Sequence, residues 1–395
     1  MKKYLLLPLL IALLQACRED DQIGQYAVDK VPPGPVTGAA VENVAGGAII
    51  RYNIPADDDL LYVKAVYQRN GKQVEQKTSV YDNQLLVEGL GKSQTQAVTL
   101  TAYDRSGNPS SPVSVDITPL DAPIFSILET MKMQADFGGI RLNWANQLGA
   151  DVIVTVITRE IRYGVEEYAQ AANFYTKAVA GVGAVRGYSD EEREFGVYIH
   201  DRWNNVTDTV FGTFKPFFEE ALDKKLFRRW NPPGIPYSAY TTPNWYIENL
   251  WNDRIEASPT GGTGFANFGL EFTFDMGQMA KISRFKINQR PEPTLLYNYA
   301  HPKKFELWGS PHPNVNADFS TWIYLGTFES IKPSGLPLGQ LTDEDLQYAH
   351  VNGEEWNMPL DAKPVRYIRF VCKETWAQAN DVQVMELSMW GDTNY

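Results

Sequence analysis

Gly46-Gly-Ala-Ile-Ile-Arg-Tyr52 and Gly138-Gly-Ile-Arg-Leu-Asn-Trp144 decide the fold, because they are one strand written twice. Each opens on a glycine pair and runs through apolar or β-branched residues to an aromatic side chain, the signature of a half-buried strand. The echo continues around them. Asp59-Leu-Leu-Tyr-Val-Lys64 returns as Asp151-Val-Ile-Val-Thr-Val156, and Tyr103-Asp-Arg-Ser-Gly-Asn108 as His200-Asp-Arg-Trp-Asn-Asn205, at offsets of 92 and 97 residues. Further short strand-like runs, Leu61–Tyr67 and Ala97–Tyr103, are separated by turn signals such as Arg69-Asn-Gly-Lys72. Two tandem antiparallel β-sandwiches are therefore expected, over 36–119 and 120–222, with Pro119–Pro123 as the joint.

Both sandwiches resemble fibronectin type III or immunoglobulin-like modules in their early Tyr or Trp and their Asp-Arg-x-x-Asn turn. That turn precedes the final strand, where Asp and Asn side chains cap the backbone; a structural role is expected for it rather than a paired-charge active site.

After Phe217-Phe218 the composition changes. Eight of the ten tryptophans lie beyond it, at 230, 245, 251, 308, 322, 356, 376 and 390. Strand-like runs recur at Leu270–Phe274, Ile282–Ile287, Lys304–Trp308 and Arg366–Phe370, without sustained helical periodicity, so 223–395 reads as a third all-β domain. Asn249-Leu-Trp-Asn-Asp253, Phe272–Gln278 with Ile282–Phe285, Phe305–Ser310, Tyr367–Phe370 and Met385–Gly391 resemble, in order and spacing, the discoidin family, also called coagulation factor V/VIII type C or galactose-binding-like domains. The resemblance implies a β-jelly roll, and it places Trp251, Trp308 and Trp390 at framework positions expected to be buried.

At the other end, Lys2-Lys3, the apolar run Leu5–Leu14 and Leu14-Gln15-Ala16-Cys17 resemble a bacterial lipoprotein signal peptide. The run is too short to span a bilayer, which needs about 20 residues. Resemblance implies removal of 1–16 and acylation of Cys17. Arg18-Glu-Asp-Asp21 is similar to the acidic tract of surface-exposed lipoproteins of Bacteroidetes, and Val31-Pro-Pro-Gly-Pro35, which can neither form a helix nor enter a sheet interior, ends a tether over 17–35. An outer-membrane location facing the exterior, held by lipid beside an uptake complex, is the expectation that follows. The other cysteine, Cys372, falls in the alternating run Arg366–Cys372 and is expected as a buried thiol, so no intramolecular disulfide forms once Cys17 is acylated.

A formal net charge of −12 with no basic cluster excludes nucleic acid as the expected partner, since such binding depends on Lys and Arg neutralising phosphates. No His-Glu-x-x-His, Gly-x-Ser-x-Gly, phosphate-binding glycine loop or Cys-x-x-Cys occurs, and the four histidines are scattered. Glu191-Glu-Arg-Glu194 and Asp343-Glu-Asp345 read as solvated loop charge. Carbohydrate binding asks less: sugar rings stack their C–H faces on exposed aromatics, and hydroxyls pair with nearby polar side chains. On loops at one end of a jelly roll, the candidates are Trp245, Tyr246, Arg290, Tyr297, Tyr299 and Trp376.

The discoidin resemblance further implies a structural calcium between the early loop and a Glu before the last strand, matched here by Asn249, Asn252, Asp253 and Glu386. Asn252 stands where the family has Asp, and Arg254 where it often has an acid. A loop satisfied by amides and hydroxyls is the alternative, because calcium wants six to eight oxygens, several charged. No other cofactor is expected. The reading is a non-catalytic, lipid-anchored glycan-binding protein of polysaccharide capture; a glycoside hydrolase with an unrecognised carboxylate pair and a protein-binding adhesin are the alternatives.

Overall fold

The computed structural model describes residues 29–232, 246–255, 266–268, 270–316 and 318–395. The chain is all-β, with helix confined to short segments. In the first module β1 (Thr37–Val44), β2 (Gly47–Asn53), β3 (Leu60–Arg69), β4 (Lys72–Ser79), β5 (Gln84–Glu88), β6 (Gln96–Asp104) and β7 (Val113–Ile117) form two sheets, β1-β2-β5 over β4-β3-β6-β7. Alternation sets the packing: Ala48, Ile50 and Tyr52 from one sheet meet Val63, Ala65, Val98 and Leu100 from the other. The Asn70-Gly71 turn closes β3 onto β4 with both residues at positive φ, which is why that pair suits a tight hairpin.

The helix α1 (Pro123–Glu129) opens the second module, placing Ile124 and Ile127 under its core. Then β8 (Lys132–Asp136), β9 (Gly139–Ala145), β10 (Val152–Arg162), β11 (Val165–Thr176), β12 (Ala180–Val185), β13 (Arg193–Asp201) and β14 (Val210–Phe214) repeat the three-over-four order, β8-β9-β12 over β11-β10-β13-β14. The duplicated sequence is thus a duplicated topology. A Cβ on Gly47 or Gly139 would meet a carbonyl oxygen of the adjoining strand at 2.0 Å, so the repeated second glycine marks a close backbone approach.

The last domain is built on an eight-stranded sheet with two extra strands. It contains β15 (Glu220–Ala221), β16 (Arg228–Arg229), β17 (Ala266–Phe268), β18 (Glu271–Asn288), β19 (Pro302–Ser310), β20 (Ile323–Glu329), β21 (Glu354–Asn357), β22 (Val365–Thr375), β23 (Val382–Val384) and β24 (Glu386–Asp392). The order is β15-β24-β18-β22-β19-β20, with β16 and β21 on β18 and β17 paired to β23. One end of β18 pairs with β22 and the other with β24, with an irregularity between Asp275 and Ala280. There Gly277 adopts φ +70°, its N–H donates to Asp275 Oδ1 at 2.7 Å, and Arg366 grips both Asp275 oxygens at 2.8 Å. The bulge lets one strand serve both walls of a core holding Phe272, Phe274, Phe285, Phe305 and Phe370. Cys372 is buried there as expected, and burial pushes its thiol up to about 12, so it stays protonated and unreactive.

The joints are polar and specific. Asp201 and Asn205 close the turn after β13, and Asn205 Nδ2 also donates to Gly89 O of the first module at 3.2 Å. In the equivalent turn Asp104 pairs with Asn108, whose Nδ2 donates to Asp29 O at 3.2 Å. Between the second module and the last domain, Glu219 receives Arg186 at 2.9 Å, Arg284 at 3.2 Å and the Ser283 hydroxyl at 2.5 Å, all largely buried. Arg186 also reaches Asp136 and donates to Asn357 Oδ1 at 2.7 Å. No helix among the described residues is long and apolar enough to cross a membrane.

Candidate functional site

Beyond β18 the chain leaves the sheet at Gln289 and builds a loop cluster. Gln289 is buried; its Oε1 accepts from Tyr297 N at 2.9 Å and its Nε2 donates to Glu354 Oε1 at 2.5 Å. Ser330 joins the same carboxylate at 2.9 Å and accepts from Trp376 Nε1 at 3.1 Å. The 299–301 segment runs beside 376–377, with Trp376 N donating to His301 O at 3.0 Å and Ala377 N to Tyr299 O at 3.2 Å. Arg290, Tyr297, Tyr299 and Trp376, scattered in sequence, therefore share one cluster.

They do not share one role. Tyr297, expected as a ligand contact, is 0% exposed: its hydroxyl donates to Ile331 O at 3.1 Å, its ring meets Trp376 edge-on at 5.1 Å, and burial raises its pKa. With Leu296 and Ala349 it is the cluster's own small core. Arg290 is held by Glu292 at 2.7 Å and Gln383 at 3.1 Å. Trp376 is half-buried, with Lys303 Nζ 5.6 Å from its ring centroid and Lys303 fixed by Glu374 at 2.7 Å. Tyr299 is 46% exposed and presents its ring to solvent. Tyr297 (φ +49°), Tyr299 (φ +50°) and Gln378 (φ +56°) are three of the seven non-glycine residues at left-handed φ among the described residues. Such backbone is costly and persists where surrounding contacts over-determine it, as binding loops do.

Tyr246 has a different setting: it is half-buried, with the Arg229 guanidinium 5.4 Å from its ring. Trp245 and Cys17 lie outside the described residues.

Two ionisable groups missed by sequence reasoning sit at the base of the cluster. His301 is fully buried, and desolvation, followed by the nearby Arg290 charge, pushes its imidazole down to about 3; its Nε2 accepts from Arg290 N at 3.3 Å. Burial pushes Glu354 up to about 7 even though Ser330, Gln289 and Ile331 N all donate to it and act in the opposite direction. Both are buried props rather than surface groups. His301 stands just before β19 and Glu354 opens β21, where no periodicity marks a residue as buried.

The residues matched to the calcium position are assembled differently from a cation site. Lys224 Nζ donates to Asp253 Oδ1 at 2.7 Å and pairs with buried Glu386, so an ammonium already stands between the two acids. Asn252 Oδ1 accepts from Arg254 N at 2.9 Å, and Asn249 Oδ1 accepts from Asn252 Nδ2 at 3.4 Å. Among the described residues no three His, Cys, Asp or Glu side chains converge as metal ligands. This donor set, with its acids already neutralised, does not fit a calcium ion.

The framework tryptophans divide. Trp251 is buried against Phe227 and Phe274. Trp308 and Trp390, expected to be buried, are half-exposed on the outward faces of their strands, Trp390 beneath the Arg284 guanidinium at 4.0 Å.

Three family models match the chain in succession, each described as a domain of unknown function: DUF4959 over 33–119, DUF5126 over 120–225 and DUF5000 over 248–391. No curated protein matches. Among solved structures, a SusE-like protein is 28% identical, covering 68% of this chain and 99% of its own, with a TM-score of 0.43. The C-terminal domain of a chitobiase from Bacteroides fragilis is 15% identical, covering 45% and 100%, with a TM-score of 0.29. A two-domain fibronectin type III segment from chicken tenascin is 14% identical, covering 46% and 99%, with a TM-score of 0.22.

Proposed function

We propose that the chain is a non-catalytic, lipid-anchored surface protein whose last domain binds glycan at the 290–303 and 374–380 loops. The observation that carries this is the exposed Tyr299 ring held at left-handed φ beside half-buried Trp376, whose indole is fixed by Ser330 and flanked by Lys303. A rigid aromatic with hydrogen-bonding neighbours is what a sugar face and its hydroxyls require, and rigidity lowers the entropy lost on binding. The two sandwiches act as a stalk between a Cys17 anchor and this face.

The test is affinity electrophoresis of residues 18–395 in gels containing plant, host or microbial polysaccharide, with a parallel assay for released reducing sugar. Retardation in one gel, weakened in Tyr299→Ala with its melting temperature intact, and no sugar release is the expected result. Sugar release would replace binding with hydrolysis, and retardation indifferent to Tyr299→Ala would remove the site. For the anchor, the full chain expressed in a Gram-negative host should partition into detergent and take up labelled palmitate, and Cys17→Ala should do neither.

A further inference from the structure

The outward face of β19, β20 and β22 carries a second aromatic group, which shares no residue with the 290–303 and 374–380 loops. Phe305 and Leu307 of β19 point into the core, so Glu306 and Trp308 point out. The Trp308 ring lies 4.6 Å from Phe319 and 5.1 Å from Tyr324, at interplanar angles of 55° and 64°. Phe319 is 37% and Tyr324 51% exposed, so this is an accessible surface rather than an inner layer.

The group is braced from below. Arg369, 1% exposed, pairs with Glu271 on the same outward side of the sheet; its guanidinium lies 3.7 Å beneath the Phe319 ring, and it donates to Asp318 O at 3.3 Å. Asp318 in turn accepts from Ser320 N at 2.9 Å and Asn314 Nδ2 at 2.7 Å, closing the loop that carries Phe319. A buried arginine under an exposed ring holds that ring in place before any ligand arrives. Beside the rings, Trp308 Nε1 donates to Glu306 Oε2 at 3.0 Å, Glu306 pairs with Lys373 at 3.1 Å, and the Tyr324 and Thr327 hydroxyls are 2.5 Å apart.

We propose that Trp308, Phe319 and Tyr324 form a second glycan-binding surface, for a soluble neutral polysaccharide chain. Charge complementarity selects that occupant: Glu306 is paired with Lys373 and Arg369 with Glu271, and the Asp318 carboxylate is engaged by Ser320 and Asn314, so the ring group offers hydroxyl and amphoteric hydrogen-bonding partners and its cations are already paired against an acidic polymer. The ring angles select its shape. Three rings tilted by 55° and 64° grip a chain that twists between successive sugars, whereas the flat face of a crystalline polymer needs coplanar rings. This surface shares no residue with the Tyr299 site and does not depend on it.

The experiment is affinity electrophoresis of the full mature chain, as the native protein, Tyr299→Ala, Tyr324→Ala and the double variant, in gels of soluble starch, galactomannan, xyloglucan, pectin and heparin. Tyr324 lies on the surface, so its loss should leave the melting temperature unchanged, and Tyr324→Phe keeps the ring as a control. The expected result is that Tyr299→Ala is still retarded in at least one neutral gel. Adding Tyr324→Ala should weaken that retardation about tenfold, the affinity equivalent of about 1.4 kcal/mol, with Tyr324→Phe close to native. Retardation confined to pectin or heparin, no retardation in Tyr299→Ala, or none of it sensitive to Tyr324→Ala overturns the proposal. The last two outcomes leave the Tyr299 reading standing, and loss of retardation in Tyr324→Ala alone reverses the ranking of the two sites.

Discussion

Lys224 Nζ lies 2.7 Å from Asp253 Oδ1 and bonds Glu386 with the same ammonium, so a side chain from the segment entering the last domain supplies the positive charge between two acids. Burial pushes the Glu386 carboxyl up to about 7, and the lysine opposes that push. A chelator or added calcium should therefore leave the melting temperature of the native protein unchanged, because an ion with no free site cannot stabilise by mass action. Lys224→Met should lower stability by about 3–5 kcal/mol, the usual cost of stripping one partner from a buried pair. A calcium-dependent rise in the native melting temperature would defeat the expectation.

Glu219 is the shared acceptor of Arg186 and Arg284 at the second joint. Glu219→Ala leaves two largely buried guanidinium groups short of a carboxylate and should cost about 3–5 kcal/mol. Because the partners come from different domains, calorimetry should show the last domain melting separately from the second module. A single unshifted transition would mean that the network contributes nothing to their coupling.

At the first joint the loss should be smaller. Asn205→Ala removes the side-chain amide bonds to Asp201 Oδ2 and Gly89 O, together about 1–3 kcal/mol, and keeps the backbone N–H bond to Asp201 Oδ1. Asn108→Ala removes the matching side-chain bond to Asp104 Oδ2 in the first module but touches only residue 29 beyond the turn. Only the Asn205 variant should raise proteolytic cleavage between the two sandwiches.

His301 titrates far below its ordinary value, with Arg290 and Glu292 as its charged neighbours. A histidine kept neutral by the fold contributes stability that is intact above about 6.5 and lost as pH falls towards about 3. Glu354 acts in the other sense: its contribution is intact below about 4.5 and lost as pH rises through about 7. His301→Gln should flatten the acid side of the stability profile below pH 6.5 and leave the alkaline side alone. Equal acid sensitivity in native and variant proteins would contradict the burial argument.

Alternation was enough to read the sandwiches, because Ala48, Ile50 and Tyr52 on one strand and Ile140, Leu142 and Trp144 on its repeat each face a core. The same rule, applied within Lys304-Phe-Glu-Leu-Trp308, sets Trp308 on the side opposite Phe305 and Leu307, and likewise Trp390 opposite Leu387 and Met389. Taking those tryptophans as buried followed their matched framework positions over parity. Tyr297 shows the limit from the other side. It sits in a loop of no periodicity, and its burial depends on Ile331, Ala349 and Trp376 arriving from three separate segments. Lys224 was equally unreadable, since its two partners lie 29 and 162 residues away.

The clasps at Asn108 and Asn205 point backward along the chain, each late turn seizing a carbonyl that was synthesised before it. A polypeptide delivered amino end first offers these two acceptors ahead of their donors, so each clasp can lock as soon as the later turn closes. The architecture therefore has a direction of assembly. A chain halted after the second module still has both asparagine clasps complete, whereas one begun a module late carries a turn whose amide has lost the carbonyl it was placed to meet.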